Sequence, residues 1–372
     1  MSAPRPPQRR EFLTGFSSAD SGESPSGGVP PAPGPLFSFS ANAMGCEFQI
    51  LCSQTAQQDL AASIGGGFGL IRQLEADLSI FRDNSPVSDL NRLAGTRPVA
   101  VTPELFDLLE QARKISSLTE GAFDMTSRPL SQLWKTARQA GRLPTATDVS
   151  DGVTRVGIGH LRLDPAGHYV AFDHPELTID LGGIGKGYAL DQLASLLDNA
   201  NVGHFLIHGG QSSIVARGQR DSVVGQADLP WTVGLAHPLV PDTRIAEIRL
   251  DQGCLGTSGS GRQSFIHGGR RYGHVIDPRT GWPAQHWLSV SVLADSALAA
   301  DALATGLFVM DHRGVHRFCQ RNPGCAVIAI AGDPAGSGGT VTVHNLDRSR
   351  LNWLDDTFTL SWPELPSPEI PD

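Results

Sequence analysis

The order of the predicted helices and strands is the feature that most constrains the fold of this chain. Helical patterns lie at 56–78, 103–118, 188–199, 296–310 and 312–321, and strand patterns at 47–52, 168–173, 176–181, 204–208, 212–216, 231–236, 245–250, 273–276, 288–293 and 325–331. Strands therefore do not alternate one for one with helices, as they do in parallel sheets built from crossover units. This order predicts an α+β fold, with mixed or antiparallel sheets and flanking helices.

The composition is that of a globular protein with room for a substantial core. The chain has 372 residues, of which 40% are hydrophobic and 18% charged. Its 29 basic and 38 acidic residues give a net charge of −9, so the sequence does not predict nucleic-acid binding. No apolar run approaches the roughly 18 residues of a transmembrane helix. The five cysteines form no CxxC pair, which argues against a disulfide scaffold and a structural zinc site.

The two ends of the chain differ in composition from the rest. Residues 1–36 are rich in Pro, Gly and Ser and are predicted to be disordered, 37–362 are predicted to form the folded domain, and 363–372 form a Pro-rich tail. The first segment contains RREFL at 9–13, which is similar to a twin-arginine export signal, yet polar residues follow it where an apolar stretch is required. An export signal and a chance arginine pair both stay open, so localisation is unassigned and the cytoplasm is possible.

A glycine-rich junction lies at 177–191, where an extended apolar run enters a loop that opens into a helix. Such a junction directs backbone N–H groups and the positive helix end at one point, and Lys186 adds a charge suited to phosphate. The spacing matches neither a Walker A loop nor GxGxxG. Phosphate binding and a tight turn with a solvated lysine are both consistent with it.

Asp301 and Thr305 are four residues apart in a predicted helix and therefore share one face. A carboxylate beside a hydroxyl is a pair of hard oxygen ligands suited to Mg²⁺. The alternative is a solvated Asp301 and a Thr305 hydroxyl bonded to its own backbone.

A third candidate is the segment HVIDPRTG at 274–281. Its strand pattern places His274 and Ile276 on one face, and Asp-Pro-x-x-Gly is ordinary turn chemistry. His274 is a candidate general base, or an incidental histidine beside a hairpin turn. Small polar loops at 121–124, 208–213 and 256–260 either admit a ligand close to the backbone or are surface turns.

Taken in order, these motifs resemble the FAD:protein FMN transferase (ApbE) family over most of 40–332. The resemblance is carried by MG at 44–45, SIF at 79–81, GAFD at 121–124, DLGGIGKGY at 180–188, GG at 209–210, TSG at 257–259, HVIDPRTG at 274–281, and Asp301 with Thr305. It implies one α+β unit that holds FAD in a cleft, with Mg²⁺ at the FAD pyrophosphate. It also implies transfer of FMN from FAD to a Thr or Ser hydroxyl of a partner flavoprotein, with release of AMP.

The resemblance assigns roles to individual residues. It implies metal ligation by Asp301, by Thr305 and by the backbone carbonyl of Gly185, with His274 as the base and Asp301 and His274 as the catalytic residues. The positions expected to contact the flavin and adenosine parts of FAD are Met44, Phe81, Asp124, Lys186, Thr257, His274 and Ile276.

The sequence departs from the family pattern in places. Phe81 stands where the family often has Tyr, Cys46 where it often has Thr, and Gly185 where Ala is usual. Two other functions remain possible at this stage: a Mg²⁺-dependent FAD pyrophosphatase that yields FMN and AMP, and a flavin-binding protein without catalysis. The sequence names neither the acceptor protein nor the oligomeric state.

Overall fold

A computed structural model describes residues 36–53, 60–220, 229–260, 264–333, 336 and 338–363. The helices are α1 (Leu60–Leu78), α2 (Pro86–Leu93), α3 (Pro103–Leu118), α4 (Arg128–Gln139), α5 (Ala146–Thr154), α6 (Gly185–Asn199), α7 (Ala297–Val309) and α8 (His312–Arg321). The strands are β1 (Leu36–Ala43), β2 (Cys46–Ser53), β3 (Val99–Ala100), β4 (Leu161–Asp164), β5 (Tyr169–Phe172), β6 (Phe205–Gly209), β7 (Ser213–Arg217), β8 (Trp231–Ala236), β9 (Arg244–Leu250), β10 (Gly253–Gly259), β11 (Ser264–His267), β12 (Arg270–Gly273), β13 (Ser289–Ala294), β14 (Ala326–Gly332), β15 (Gly339–His344), β16 (Leu351–Trp353) and β17 (Phe358–Ser361). The predicted tails at 1–36 and 363–372 lie outside the described residues except for Leu36, which begins β1, and Pro363; residues 56–59 of the helix predicted from 56 also lie outside them.

A nine-stranded sheet organises the molecule, in the order β1-β2-β6-β7-β10-β13-β14-β15-β17. Neighbouring strands are antiparallel except β15 and β17, which are parallel. Three small sheets accompany it, in the orders β16-β9-β8, β3-β5-β4 and β11-β12. The α+β fold with mixed and antiparallel sheets is therefore confirmed.

Both faces of the large sheet are covered, which explains the continuous apolar run of β14. Val327 and Ala329 face a core shared with α3, α7 and α8, whereas Ile328 and Ile330 face a second core shared with β8 and β9. A strand that is buried on both faces needs apolar residues at every position, not at every second one. None of the described helices combines the length and apolarity required to cross a bilayer.

The strand prediction at 176–181 is wrong, although its apolar alternation is real. Leu177 and Ile179 are fully buried. The backbone of Ile179, however, is bound by a side chain: its N–H donates to Asn91 Oδ1 at 2.7 Å, and Asn91 Nδ2 donates to its carbonyl at 3.0 Å. The Asn91 side chain thus makes the two backbone hydrogen bonds that a neighbouring strand would otherwise make. The predicted strand at 273–276 also shifts, because β12 ends at Gly273 and only Ile276 forms a single bridge beyond it.

Two glycines allow α7 to pack closely on its neighbours. A Cβ at Gly187 would overlap the Ala297 carbonyl, and a Cβ at Gly256 would overlap the Ala300 carbonyl. Gly187 belongs to α6, which begins at Gly185 and not at the predicted 188. Because glycine has no side chain at either position, the start of α7 can lie directly against both the first turn of α6 and strand β10.

Candidate functional site

The Asp301 carboxylate is the buried centre of the site. Its side chain sits on α7 with 5% of its surface exposed. Ser213 Oγ donates to Oδ1 at 3.0 Å, the Gly187 N–H donates to Oδ2 at 3.1 Å, and Lys186 Nζ lies 3.2 Å from Oδ2. A buried carboxylate requires such partners, because desolvation of an unpaired charge is costly. These donors hold the carboxylate in one orientation.

The position of Asp301 is fixed by contacts between α6 and α7. The Asp191 carboxylate of α6 accepts hydrogen bonds from the N–H groups of Ala297 and Leu298, at 2.8 and 2.9 Å, and so satisfies free donors at the start of α7. Burial raises the pKa of Asp191, and these two hydrogen bonds oppose that rise. The first turn of α6 in turn presents the Gly187 N–H to Asp301. Each helix therefore supplies a carboxylate that accepts hydrogen bonds from backbone N–H groups at the N-terminus of the other.

Thr305 lies one turn after Asp301 and faces strand β10. Its hydroxyl donates to the Asp301 carbonyl at 3.2 Å and lies 3.2 Å from Ser258 Oγ. Thr257 precedes Ser258 in β10 and points to the opposite face of the sheet, where its hydroxyl lies 2.8 Å from Ser291 Oγ. Thr257 thus lines a separate cavity of about 560 Å³ between the large sheet and β8, away from Asp301.

A cleft of about 310 Å³ opens beside Lys186 and brings together four predicted residues: Met44, Phe81, Gly185 and Lys186. Met44 occupies a two-residue turn between β1 and β2 with φ of +50°, and its N–H donates to Glu75 Oε1 at 2.7 Å. The Phe81 ring is 84% exposed at the mouth of the cleft. An exposed ring beside a cleft is suited to stacking on a planar ligand.

Asp124 lies elsewhere, and its carboxylate is already engaged. Oδ1 accepts from the N–H and hydroxyl of Thr126, at 2.8 and 2.7 Å, and Oδ2 accepts from the Ile158 N–H at 2.9 Å. Burial raises the pKa of this carboxyl group, and the hydrogen bonds from Thr126 and Ile158 lower it. Its side chain therefore fixes the loop at 124–126. A role for Asp124 in FAD binding stays a prediction.

His274 is exposed and follows β12 directly. The turn after it is built as the sequence predicts: Gly281 N–H donates to the Asp277 carbonyl at 2.8 Å, and Gly281 has a φ of +75°. Arg279 forms a two-pronged ion pair with the Asp277 carboxylate, with both nitrogen–oxygen distances 2.9 Å. Ile276 is buried in a cluster with Trp134. The described contacts therefore put Ile276 in that cluster, and its predicted role at the flavin stays a prediction.

The donor chemistry around Asp301 fits magnesium better than a transition metal. Among the described residues no group of three or more His, Cys, Asp and Glu side chains could hold a metal ion. One carboxylate, one hydroxyl and a nearby backbone carbonyl are hard oxygen donors, and Mg²⁺ commonly uses one or two carboxylates and substrate phosphates. The available set therefore suits Mg²⁺ completed by a phosphate-bearing ligand.

Four contributors to the site were not predicted: Ser213, Ser258, Asp191 and Glu75. Each contacts a residue far away in the sequence, such as Ser213 with Asp301 or Glu75 with Met44. No local spacing rule identifies such contacts. The only usable signal was proximity in sequence to a glycine-rich motif, which Asp191, Ser213 and Ser258 have.

Comparison with known proteins gives a consistent result. Residues 44–329 match the model of the ApbE family. The chain is 34% identical over 273 residues to the FAD:protein FMN transferase of Salmonella typhimurium, which covers 71% of this chain and 76% of that protein. It is 33% identical over 252 residues to the protein of the same name from Vibrio cholerae, covering 66% and 73%.

Solved structures of ApbE proteins resemble this chain in fold. The flavin transferase ApbE from Vibrio cholerae superposes with a TM-score of 0.71 at 28% identity, covering 83% of this chain and 97% of that one. The ApbE protein from Thermotoga maritima gives a TM-score of 0.71 at 27% identity, covering 80% and 94%. The similarity in sequence and in fold thus extends over most of each protein.

Proposed function

Because this chain belongs to the ApbE family, we propose that it is a magnesium-dependent FAD:protein FMN transferase. The name of its curated relatives supports a flavin transferase that uses FAD. The finer proposal is that FMN moves from FAD to a Thr or Ser hydroxyl of an acceptor flavoprotein, and that AMP is released. The observation that carries it is the buried Asp301 carboxylate, held against the first turn of α6 beside the cleft.

The residues present fit a magnesium ion at this place. Asp301, Thr305 and the Gly185 carbonyl would hold it, since the first two are already linked on α7 and Gly185 begins the facing helix. When bound, the ion would supply charge neutralisation for the pyrophosphate of FAD, which is the main requirement of phosphoryl transfer. The donors to Asp301 that are not ligands, above all Ser213, would keep the carboxylate oriented.

Lys186 and the start of α6 supply the fixed positive charge of the site. The Lys186 side chain lines the cleft and neighbours the Asp301 carboxylate at 3.2 Å. The first turn of α6 adds the positive end of the helix dipole, while its Gly187 N–H donates to Asp301. We expect this combination to bind the anionic pyrophosphate, while Met44 and Phe81 contact the flavin. Replacement of the usual Tyr by Phe81 retains stacking and loses one hydroxyl.

His274 would take the proton from the acceptor hydroxyl as that oxygen attacks the FMN phosphorus. Its exposed position at the end of β12 suits a base that must meet a group brought by another protein. One bond forms, between the acceptor oxygen and the FMN phosphorus, and one breaks, to the oxygen of the leaving AMP. The His274→Ala variant should transfer FMN about 10²-fold more slowly while its FAD affinity stays within twofold. Loss of FAD binding would instead make His274 a ligand contact.

One experiment separates the three candidate activities. The purified chain is incubated with FAD, Mg²⁺ and a lysate of the source organism, and proteins are separated under denaturing conditions and imaged for flavin fluorescence. A fluorescent band that requires the chain and Mg²⁺ supports transfer. Free FMN and AMP without a labelled protein support the pyrophosphatase, and unchanged FAD supports binding alone. The Asp301→Asn variant serves as the inactive control.

A further inference from the structure

The hairpin formed by β11 and β12 leads straight into His274. One of its faces is buried: the rings of Phe265 and Tyr272 stack at 5.5 Å, and Tyr272 stacks on Trp134 at 5.6 Å. The paired residues Ile266 and Arg271 form the opposite face. Ile266 is 71% exposed, the highest value of any Leu, Ile or Val side chain that the structure describes. The hairpin is thus anchored on one side, whereas on the other Ile266 is exposed and Arg271 lines the cavity of about 560 Å³ that also contains Thr257.

Among the described residues, no other strand pairs with the outer edge of β12. The described part of β11 and β12 pairs only within this hairpin. A two-glycine turn with positive φ at Gly268 and Gly269 makes His267 and Arg270 the closing pair, so the N–H and C=O groups of Arg271 and Gly273 point away from β11. Outside the hairpin, no backbone hydrogen bond to either residue occurs among the described residues. An edge of this kind is a template for strand addition.

The charge of the hairpin indicates what kind of segment would pair with it. Residues 264–273 contain two arginines and one histidine and no acidic residue, in a chain whose net charge is −9. Arg270 and Arg271 are both exposed. Opposite charge would therefore favour an acidic segment and disfavour a basic one.

We propose that the acceptor flavoprotein docks on this hairpin by adding an extended, acidic segment to the free edge of β12. A segment laid along β12 reaches its end beside His274, where its Thr or Ser hydroxyl meets the base. Main-chain pairing gives the affinity, and contacts with Ile266 and Arg271 give the specificity. This inference rests on the proposed function and adds to it the surface that recognises the acceptor.

The side-chain test uses the unmodified form of the acceptor that becomes fluorescent in the assay above. Ile266→Asp and Arg271→Glu should each raise the KM for this acceptor at least tenfold. Ile266→Asp should leave the FAD Kd unchanged within twofold, because Ile266, unlike Arg271, does not line the cavity of Thr257. The matched controls are Leu354→Asp, at a side chain that is 50% exposed, and Arg313→Glu, on the exposed side of α8. The controls should change neither constant. An unchanged acceptor KM in both hairpin variants overturns the proposal.

The main-chain test compares two substitutions at Gly273. A Cβ there meets no atom within 4 Å, so the alanine side chain fits, and only proline removes the outward N–H. Gly273→Pro should raise the acceptor KM at least tenfold with kcat at saturating acceptor within threefold, whereas Gly273→Ala should stay near wild type. Equal KM values for the two variants overturn the docking mode. If the wild-type chain labels no protein at all, the proposed function itself fails.

Discussion

The two sides of the proposed site are built in opposite ways. On the α6–α7 side, the Asp301 carboxylate is 5% exposed and has donors from a serine, a backbone N–H and a lysine. On the acceptor side, Ile266 is 71% exposed and His274 is at the surface. A rigid, desolvated centre favours charge neutralisation, whereas an open surface can admit a protein partner. Under the proposed function, charge neutralisation thus belongs to the buried side and recognition of the acceptor to the open side.

The largest effect is expected from removing the charge of the buried side. Asp301→Asn keeps the shape of the side chain but cannot neutralise a divalent cation, so FMN transfer at saturating FAD and Mg²⁺ should fall on the order of 10³-fold. Rates are measured by in-gel flavin fluorescence over time, with circular dichroism to check the fold. Near-wild-type turnover would show that the buried carboxylate is not the metal ligand.

Next in size is the effect of forcing α6 and α7 apart. Gly187→Ala places a Cβ against the Ala297 carbonyl and should lower the free energy of unfolding by about 3 kcal/mol. The matched control is Gly66→Ala in α1, where a Cβ meets nothing within 4 Å. That control should gain about 0.5–1 kcal/mol, because alanine favours helix more than glycine does. Urea unfolding of both variants provides the comparison, and equal stabilities would mean that the helix crossing can relax.

The buried His344 should make the stability of the fold depend on pH. Burial, with a further contribution from His316, lowers the pKa of His344 from 6.5 to about 4. The unfolded chain therefore binds a proton below pH 6.5 that the folded chain does not bind until about pH 4, so the stability contribution is complete above pH 6.5 and is lost as pH falls through this window. The loss is on the order of 3 kcal/mol at most.

The measurement is the difference in Tm between wild type and His344→Phe at pH 7 and pH 4.5. The wild type should lose more stability on acidification than this variant, which lacks the titrating group. Parallel losses in the two proteins would assign the acid sensitivity to the carboxylates instead.

The smallest effect is expected from the serine beneath Asp301. Ser213→Ala removes one donor to Oδ1 and should weaken Mg²⁺ binding 10–100-fold, since groups that orient a ligand typically have effects of this size. Isothermal titration with Mg²⁺ and FAD measures the affinity directly. Ser117→Ala, at an exposed serine bonded to its own helix, is the control and should have no effect. A Mg²⁺ affinity unchanged by Ser213→Ala would mean that Gly187 and Lys186 suffice to hold the carboxylate.

Much of the fold followed from local patterns, and the exceptions share one cause. The helix of Asp301 and strand β14 follow from short, nearly continuous apolar stretches of chain. The segment at 176–181 has the alternation of a strand, but Asn91, 88 positions away from Ile179, binds its backbone instead of a neighbouring strand. A pattern predicts which side chains are buried and does not predict which group satisfies the backbone.

The sequence alone determined that Asp301 and Thr305 share a helix face and that a glycine-rich turn opens a helix beside Lys186, because both depend on the geometry of a few consecutive residues. Only the tertiary structure decided that Ser258 faces Thr305 while Thr257 faces the second cavity. It also decided that the Asp124 carboxylate binds Thr126 and Ile158. In a strand, a shift of one residue exchanges the two faces, so strand register has to be set by the packing of distant elements before any side chain can be assigned to a site.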